Sequence, residues 1–309
     1  MKMLHSVGEL SLLKGPIVLA AGTFDGVHLG HQALISRAMR EATACGGTAV
    51  VMTFDRHPAA LLRPENAPKL LTRNDAKIAL LEGMGVQALL MLPFTGELAS
   101  VTARDFIASL VSSASPLQAL CVGGEWFFGK GGEGNVALLR ELGEEHNFIV
   151  IQIDPVLAEG SPISSTRIRA SIASGNLMEG ATCLGRPFLL SGTVVSGAGL
   201  GSKIGFPTAN LEVSGMQLPP NGVYAVKVLC GSDLLNGVCN IGLRPTVDAS
   251  ANAPVVEVHL FDVSSDLVGE NLALEFVKFL RPEQKFNGLE ELKAQIARDC
   301  KSARELLSS

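Results

Sequence analysis

The sequence predicts an α/β domain built on a parallel sheet, followed by a small β-rich domain, a barrel or a sandwich, that ends in a helix. Three observations predict it. Strand-like and helix-like stretches alternate over roughly the first 160 residues. After about residue 185 the rhythm changes to short β-rich runs broken by Pro, Gly and Asn. The chain then closes on one amphipathic helical pattern.

The front half can be read element by element. Residues 17–21 are a short apolar run, and 31–44 has helical spacing, with Leu34, Ala38 and Ala42 on one face. Gly46 and Gly47 end that helix. Strands follow at 48–54, 88–92, 119–122 and 148–153, with helices at 75–82, 103–113 and 136–144 between them. This alternation implies a parallel sheet covered on both faces. In the back half, 188–195, 222–230, 237–241, 255–263 and 272–280 read as strands of a small barrel or sandwich. In the last helix Asn287 is the expected cap, with Glu290 completing a capping box. Leu289, Leu292, Ile296, Ala303 and Leu306 form the expected apolar stripe. The domain boundary is expected near residues 183 to 187, giving domains of 1–183 and 184–309.

Composition bounds the function. The chain has 309 residues, of which 47% are hydrophobic, enough for two cores. The net charge of -5 argues against general nucleic-acid or anionic-membrane binding, while leaving room for a local phosphate site. No apolar run is long enough to span a bilayer. Residues 1–13 lack the order of a secretory leader. The six cysteines are scattered without a C-x-x-C pair. The expectation is a cytoplasmic protein with reduced thiols.

The first candidate site is the run Gly22-Thr23-Phe24-Asp25-Gly26-Val27-His28-Leu29-Gly30-His31, between a strand and a helix. Open parallel sheets bind ligands there, and a helix N-terminus offers free N–H groups and partial positive charge. His28 and His31, three apart, share a face of the first turn. They can hold a triphosphate and stabilise charge on a pentavalent phosphorus. The bland alternatives are two surface histidines or two metal ligands. Ile163-Ser164-Ser165-Thr166-Arg167-Ile168-Arg169 likewise follows a strand and opens a helix. Its hydroxyls and N–H groups make an anion nest, and Arg167 can clamp a phosphate. Alone, this segment is an ordinary capped helix. Together the two segments resemble the nucleotidylyltransferase superfamily, with its H-x-G-H and I-S-S-T-x-x-R signatures. Gly129-Lys130-Gly131-Gly132-Glu133-Gly134 fits the dinucleotide pattern G-x-G-x-x-G. It is read instead as a flexible loop over a ligand, because that fingerprint belongs to the first strand–helix unit, which holds the histidines.

The second candidate site is Gly205-Phe206-Pro207-Thr208-Ala209-Asn210 with Glu257. Thr208 and Asn210 offer hard oxygens suited to Mg²⁺. Glu257 and His259 alternate on one strand face, and a carboxylate there can take a proton from a hydroxyl nucleophile. On the residues alone the plainer reading prevails: a common Pro-Thr-Ala-Asn turn and a solvent-facing strand glutamate. No G-x-x-x-x-G-K-[ST] occurs, so this is not a P-loop.

The whole chain resembles the bacterial bifunctional riboflavin kinase/FMN adenylyltransferase (FAD synthetase) family. The match includes both segments above, Thr53-Phe54 with His57-Pro58, Leu92-Pro93-Phe94, Leu184-Gly185-Arg186-Pro187 and Gly222-Val223-Tyr224. It continues through Asn240-Ile241-Gly242, Arg244-Pro245-Thr246, Glu257-Val258-His259, Leu280-Arg281-Pro282-Glu283 and Lys285-Phe286. The resemblance implies a nucleotidylyltransferase-like sheet domain and a riboflavin-kinase-like barrel. Riboflavin, FMN and ATP are then the partners, Mg²⁺ the cofactor, and FMN and FAD the products. It implies that Gly22, Phe24, Asp25, His28, Gly30, His31, Ser164, Ser165, Thr166 and Arg167 hold ATP for adenylylation. Gly205, Pro207, Thr208, Asn210 and Arg281 would bind ATP or flavin in the kinase, with Thr208 and Asn210 on Mg²⁺ and Glu257 as base. The family's glycine-rich kinase loop usually carries His and two arginines; here those positions are Ser196, Leu200 and Ser202, with Lys203 the remaining base. Two rival readings stay open: a nucleotidylyltransferase for another phosphate acceptor, and a barrel that only binds flavin. Self-association also stays open.

Overall fold

Successive apolar residues with few breakers make the first strands central to a sheet, since both faces must be covered. The computed structural model describes residues 1–114, 116–197, 199, 201, 204–243, 254–263 and 266–308. Leu200, Ser202 and Lys203 of the expected phosphate loop, and Arg244-Pro245-Thr246, lie outside the described residues. The chain forms two compact units: Met1–Lys69 with Asn74–Ser165, and Leu70–Arg73 with Thr166–Ser309.

The first unit holds strands β1 (Lys2–Leu4), β2 (Ile17–Ala21), β3 (Thr48–Phe54), β4 (Ala88–Leu92), β5 (Leu117–Gly123) and β6 (Ile149–Ile153). Its helices are α1 (Leu29–Ala44), α2 (Pro58–Leu62), α3 (Asn74–Gly83), α4 (Gly96–Ser100), α5 (Ala103–Ser113) and α6 (Val136–His146). The six strands pair in parallel in the order β1-β4-β3-β2-β5-β6. Strand order therefore reverses at β2 and β5, and the crevice outside their carboxyl ends is the expected ligand position. Alternate residues of β2 serve opposite cores. Val18 and Ala20 pack with Leu34, Ile35, Ala38 and Ala42 of α1 and Leu81 of α3. Ile17, Leu19 and Ala21 pack with Phe106, Ile107 and Leu110 of α5 and Leu139 and Leu142 of α6. A short antiparallel pair, β7 (Leu157–Ala158) and β8 (Ser161–Pro162), follows.

The second unit contains helices α7 (Ser165–Ala173, starting at the last residue of the first unit) and α8 (Leu177–Leu184). Strands β9 (Leu189–Val195), β10 (Ala209–Glu212), β11 (Gly222–Cys230), β12 (Asp233–Leu243), β13 (Pro254–Leu260) and β14 (Asn271–Arg281) then close a barrel in the order β10-β13-β12-β11-β14-β9. The sandwich alternative is thereby removed. Val256, Val258 and Leu260 are buried at alternate positions of β13, and Leu272, Leu274 and Phe276 likewise in β14, as a closed barrel requires. The last helix, α9 (Leu289–Leu307), packs Cys300, Ala303 and Leu307 on Val223, Ala225 and Val238 of the barrel wall.

Two local expectations need correction. The N-cap of α9 is Gly288, and Asn287 instead donates its backbone N–H and Nδ2 to Glu291 Oε2, at 2.9 and 3.2 Å. The bond thus joins residues four apart and includes no Glu290. The buried stripe is Asp299, Cys300, Ala303 and Leu307, while Leu289 and Leu306 are exposed. No disulfide joins the described cysteines; burial pushes the Cys121 thiol up to about 12 and that of Cys300 up to about 11, which keeps both unreactive. Among the described residues no helix is long and apolar enough to cross a membrane.

Candidate active sites

The loop after β2 turns sharply into α1. Phe24, Gly26 and Val27 have φ of 49°, 83° and 41°, so two side-chain-bearing residues occupy the left-handed region. Asp25 and His28 are buried. His28 is the N-cap of α1, and its Nδ1 accepts the backbone N–H of His31 at 3.2 Å. That bond makes Nδ1 of His28 an acceptor. The two imidazoles stack at 3.5 Å with 17° between planes. Phe24 packs edge-on against His31 at 5.2 Å. A Cβ on Gly30 would lie 3.1 Å from His28 Cε1, so only glycine lets the ring fold back over the first turn.

His31 Nδ1 is buried without a hydrogen-bond partner. Burial pushes the pKa of His31 well below its usual value, helped by the nearby charges of His28 and Lys77. A neutral ring with an orphaned nitrogen is arranged for a ligand to complete. Ser165, the last residue of the first unit, donates its Oγ to Asp25 O at 2.9 Å. Ser164 and Thr166 are exposed at the start of α7. Arg167 Nε is bound to Glu179 Oε1 of α8 at 2.9 Å.

Beside Gly22 lies a cavity of about 180 Å³ lined by Phe54, Phe94, Trp126, Phe127 and Phe128. Trp126 and Phe128 stack at 4.5 Å and 16°, and Phe54 meets Phe94 edge-on at 5.1 Å. Sequence reasoning missed this slot, although Phe54, Phe94 and Phe128 each follow or end a strand of the sheet. The glycine loop folds back on itself: Phe128 and Gly134 exchange backbone bonds at 3.1 and 2.8 Å. Helix α6 starts only afterwards, capped by Asn135. The run therefore does not open a helix as a dinucleotide fingerprint does, and Gly131 and Gly132 line the aromatic slot.

The second site is set by strand register. Asn210 of β10 stands opposite Glu257 of β13, and Glu257 stands opposite Asn240 of β12. The three side chains form one row across three strands. They line a cavity of about 430 Å³ together with Thr208, His259 and Arg281. The turn reading of Pro207 to Asn210 is corrected: Ala209 already starts β10. Pro207 is exposed, and its carbonyl is 2.7 Å from His259 Nδ1; Gly205 turns the chain at φ 89°. Arg281 reaches the cavity already engaged, with Nε and Nη2 on Asp299 at 2.7 to 3.0 Å and Nη1 on Pro282 O. Asn240, Glu283 and Asp299 are cavity residues that sequence reasoning missed. Backbone passes close to Thr208 and Asn210: a Cβ on Gly201 would lie 3.1 Å from Thr208 Oγ1, and one on Gly197 would collide with the Asn210 amide. A hydroxyl, an amide and a carboxylate in a cradle kept open by two glycines fit Mg²⁺, which takes its remaining ligands from water and phosphate.

The fold defines a class of transferase that joins a nucleotidylyltransferase-like parallel sheet to a closed barrel with a carboxylate in its cavity. Family models agree, with FAD synthetase matching residues 12–167 and riboflavin kinase matching 184–307. The chain is 41% identical over 307 residues to the bifunctional riboflavin kinase/FMN adenylyltransferase of Escherichia coli (strain K12), covering 99% of this chain and 97% of that one. It is 35% identical to the enzyme of the same name from Bacillus subtilis (strain 168), covering 98% and 97%. A crystal structure described as a macrolide-efflux protein from Streptococcus pneumoniae aligns with a TM-score of 0.81 at 29% identity, over 98% of this chain and 99% of that one. The chain belongs to the bifunctional riboflavin kinase/FMN adenylyltransferase family. It is an enzyme of FAD biosynthesis, a riboflavin kinase and an FMN adenylyltransferase in one polypeptide.

Proposed function

We propose that each unit performs one reaction with the residues named above. In the barrel, Glu257 takes the proton from the terminal ribityl hydroxyl of riboflavin as that oxygen attacks the γ-phosphorus of ATP, whose bond to the β–γ bridging oxygen breaks so that ADP leaves. Thr208 and Asn210 hold Mg²⁺, which neutralises phosphate charge when bound. Asn240 flanks the base, and Asp299 fixes the guanidinium of Arg281 against the cavity wall. In the sheet unit, FMN lays its ring system in the aromatic slot and its phosphate oxygen attacks the α-phosphorus of ATP. Pyrophosphate leaves, and no covalent enzyme intermediate forms. His28 and His31 bind the triphosphate and stabilise the charge that develops on it. The Ser164 to Arg167 segment supplies further donors. Catalysis at both centres is positioning plus electrostatics.

The observation that carries this reading is the Asn210–Glu257–Asn240 row, which sets a carboxylate between two amides beside hard oxygen ligands. The reading extends to a cytoplasmic enzyme without nucleic-acid or membrane partners, in keeping with the net charge of -5. A chromatographic time course with riboflavin, ATP and Mg²⁺, beside one started from FMN, tests it. Asn210→Ala should abolish FMN formation and leave FAD formation from supplied FMN intact. Changing both His28 and His31 to Ala should stop the reaction at FMN. Loss of both products in the first variant, or normal FAD in the second, overturns the assignment.

A further inference from the structure

Lys77 is a charged residue where none is expected. It sits in α3, only 6% exposed, among residues that cover the sheet. A buried ammonium costs free energy unless it is paired and bonded. Burial accordingly lowers its pKa, and the charge of Asp25 opposes that shift. Its Nζ donates to Thr23 O at 3.1 Å. Thr53 Oγ1 donates to the same carbonyl at 2.9 Å. Thus two donors from two different elements fix one carbonyl at the start of the catalytic loop.

Why that carbonyl needs two donors follows from what comes next. Between Thr23 and His28 the backbone enters the left-handed region at Phe24, Gly26 and Val27. For Phe24 and Val27 this costs on the order of 1–3 kcal/mol each and persists only where the surroundings over-determine it. Phe24 is anchored by complete burial, and Asp25 and Val27 are 3% and 1% exposed. The turn delivers His28 to the N-cap of α1 and stacks it on His31. A relaxed turn would move both imidazoles together.

We infer that Lys77 is a positioning residue for adenylyl transfer: its buried ammonium, held by the Thr23 carbonyl and the charge of Asp25, locks the left-handed turn that aims His28 and His31. The inference rests on the histidine reading above. Lys77 touches no substrate and acts through the loop. It makes the phosphate site a three-element structure, in which β2 supplies the loop, β3 supplies Thr53 and α3 supplies the cation. Its length suits the role, since the ammonium reaches the carbonyl from a helix on the face of the sheet.

The test uses the full chain, in which kinase activity reports that the barrel is intact and KM for FMN in adenylylation reports that the sheet unit is folded. Lys77→Met keeps the bulk and removes the charge. Its kcat for FAD formation should fall about 100-fold, the effect of misplacing a catalytic group by an ångström, with KM for FMN within about threefold. FMN formation from riboflavin should stay within about twofold. In histidine-ring NMR titrations His31 should move up toward its ordinary value, since one of the charges holding it down is gone while burial and His28 remain. An adenylylation rate unchanged in Lys77→Met overturns the inference, as does a proportional loss of both activities or an unmoved His31 titration. The His28/His31 double Ala variant belongs in the same assay. If it loses FAD formation while Lys77→Met keeps it, the histidine reading stands and the Lys77 inference fails. If the double variant keeps FAD formation, the histidine reading itself fails.

Discussion

The two sites of this chain are built on opposite principles. The site proposed for adenylylation is assembled within one short loop and held by burial: Phe24, Asp25, Val27 and His28 are all under 6% exposed, and two of them are in left-handed backbone. The site proposed for the kinase is assembled by register. Asn210, Glu257 and Asn240 lie on three strands far apart in sequence and sit on half-exposed positions of unstrained extended chain. The first site invests conformational strain to present two rings together. The second presents oxygens at the strand spacing a sheet provides without strain. The difference teaches that a site concentrated in one turn fails as a unit, whereas a site spread over a barrel wall can lose one member and keep the rest in place.

The sharpest way to separate the two is Glu257→Gln. The substitution keeps shape and register and removes the base. FMN formation should fall by about 10² to 10⁴, the range for loss of a positioned base, with no change in FAD formation from supplied FMN. Steady-state rates on the two substrates check it. A loss under about tenfold would remove Glu257 from proton transfer and leave the row a purely binding feature. A smaller effect is expected at the aromatic slot. Trp126→Ala deletes the ring stacked on Phe128. KM for FMN should rise about tenfold, as expected for one stacking interaction of about 1.5 kcal/mol, while kcat for adenylylation and KM for riboflavin in the kinase stay put. An unchanged KM for FMN would mean that the ring system lies elsewhere.

The same contrast explains what the sequence made legible. The strands of the parallel sheet could be read because their apolar runs are buried on both faces. The histidine site was legible because its parts are contiguous in the chain. The kinase site was legible only in pieces. Pro207 and Asn210 are poor strand formers, so β10 reads as a turn until pairing with β9 and β13 overrides local preference. Asn240 and Glu283 carry no local mark, because what makes them cavity residues is a cross-strand neighbour and the course of the chain after β14. Lys77 was hidden for a different reason. A lysine in an amphipathic helix pattern reads as solvent face, and only the packed structure reveals the carbonyl it reaches. The slip at the start of α9 follows from the ambiguity between three- and four-residue spacing, since Glu290 and Glu291 both follow Asn287 closely enough to bond.

The mildest expected effect, and the one that probes the comparison most directly, is proton linkage. His31 is pushed below its ordinary 6.5, so in the free enzyme at pH 7 it is neutral. A triphosphate beside the ring favours the charged form and raises that pKa. ATP binding to the sheet unit should therefore take up a fraction of a proton near pH 6.5 to 7, seen as a buffer-dependent heat in titration calorimetry. The linkage also has a stability side. Because the unfolded chain binds a proton near 6.5 and the folded His31 does not, stability should rise with pH through that window and fall as pH drops below 6.5. ATP should reverse part of the fall by giving the proton a partner. The double His28/His31 Ala variant, which lacks the displaced imidazole, should bind ATP without this proton uptake. Uptake of equal size in that variant would place the proton outside the histidine pair, and the neutral stacked rings would then be a packing feature of the loop and not its means of holding phosphate.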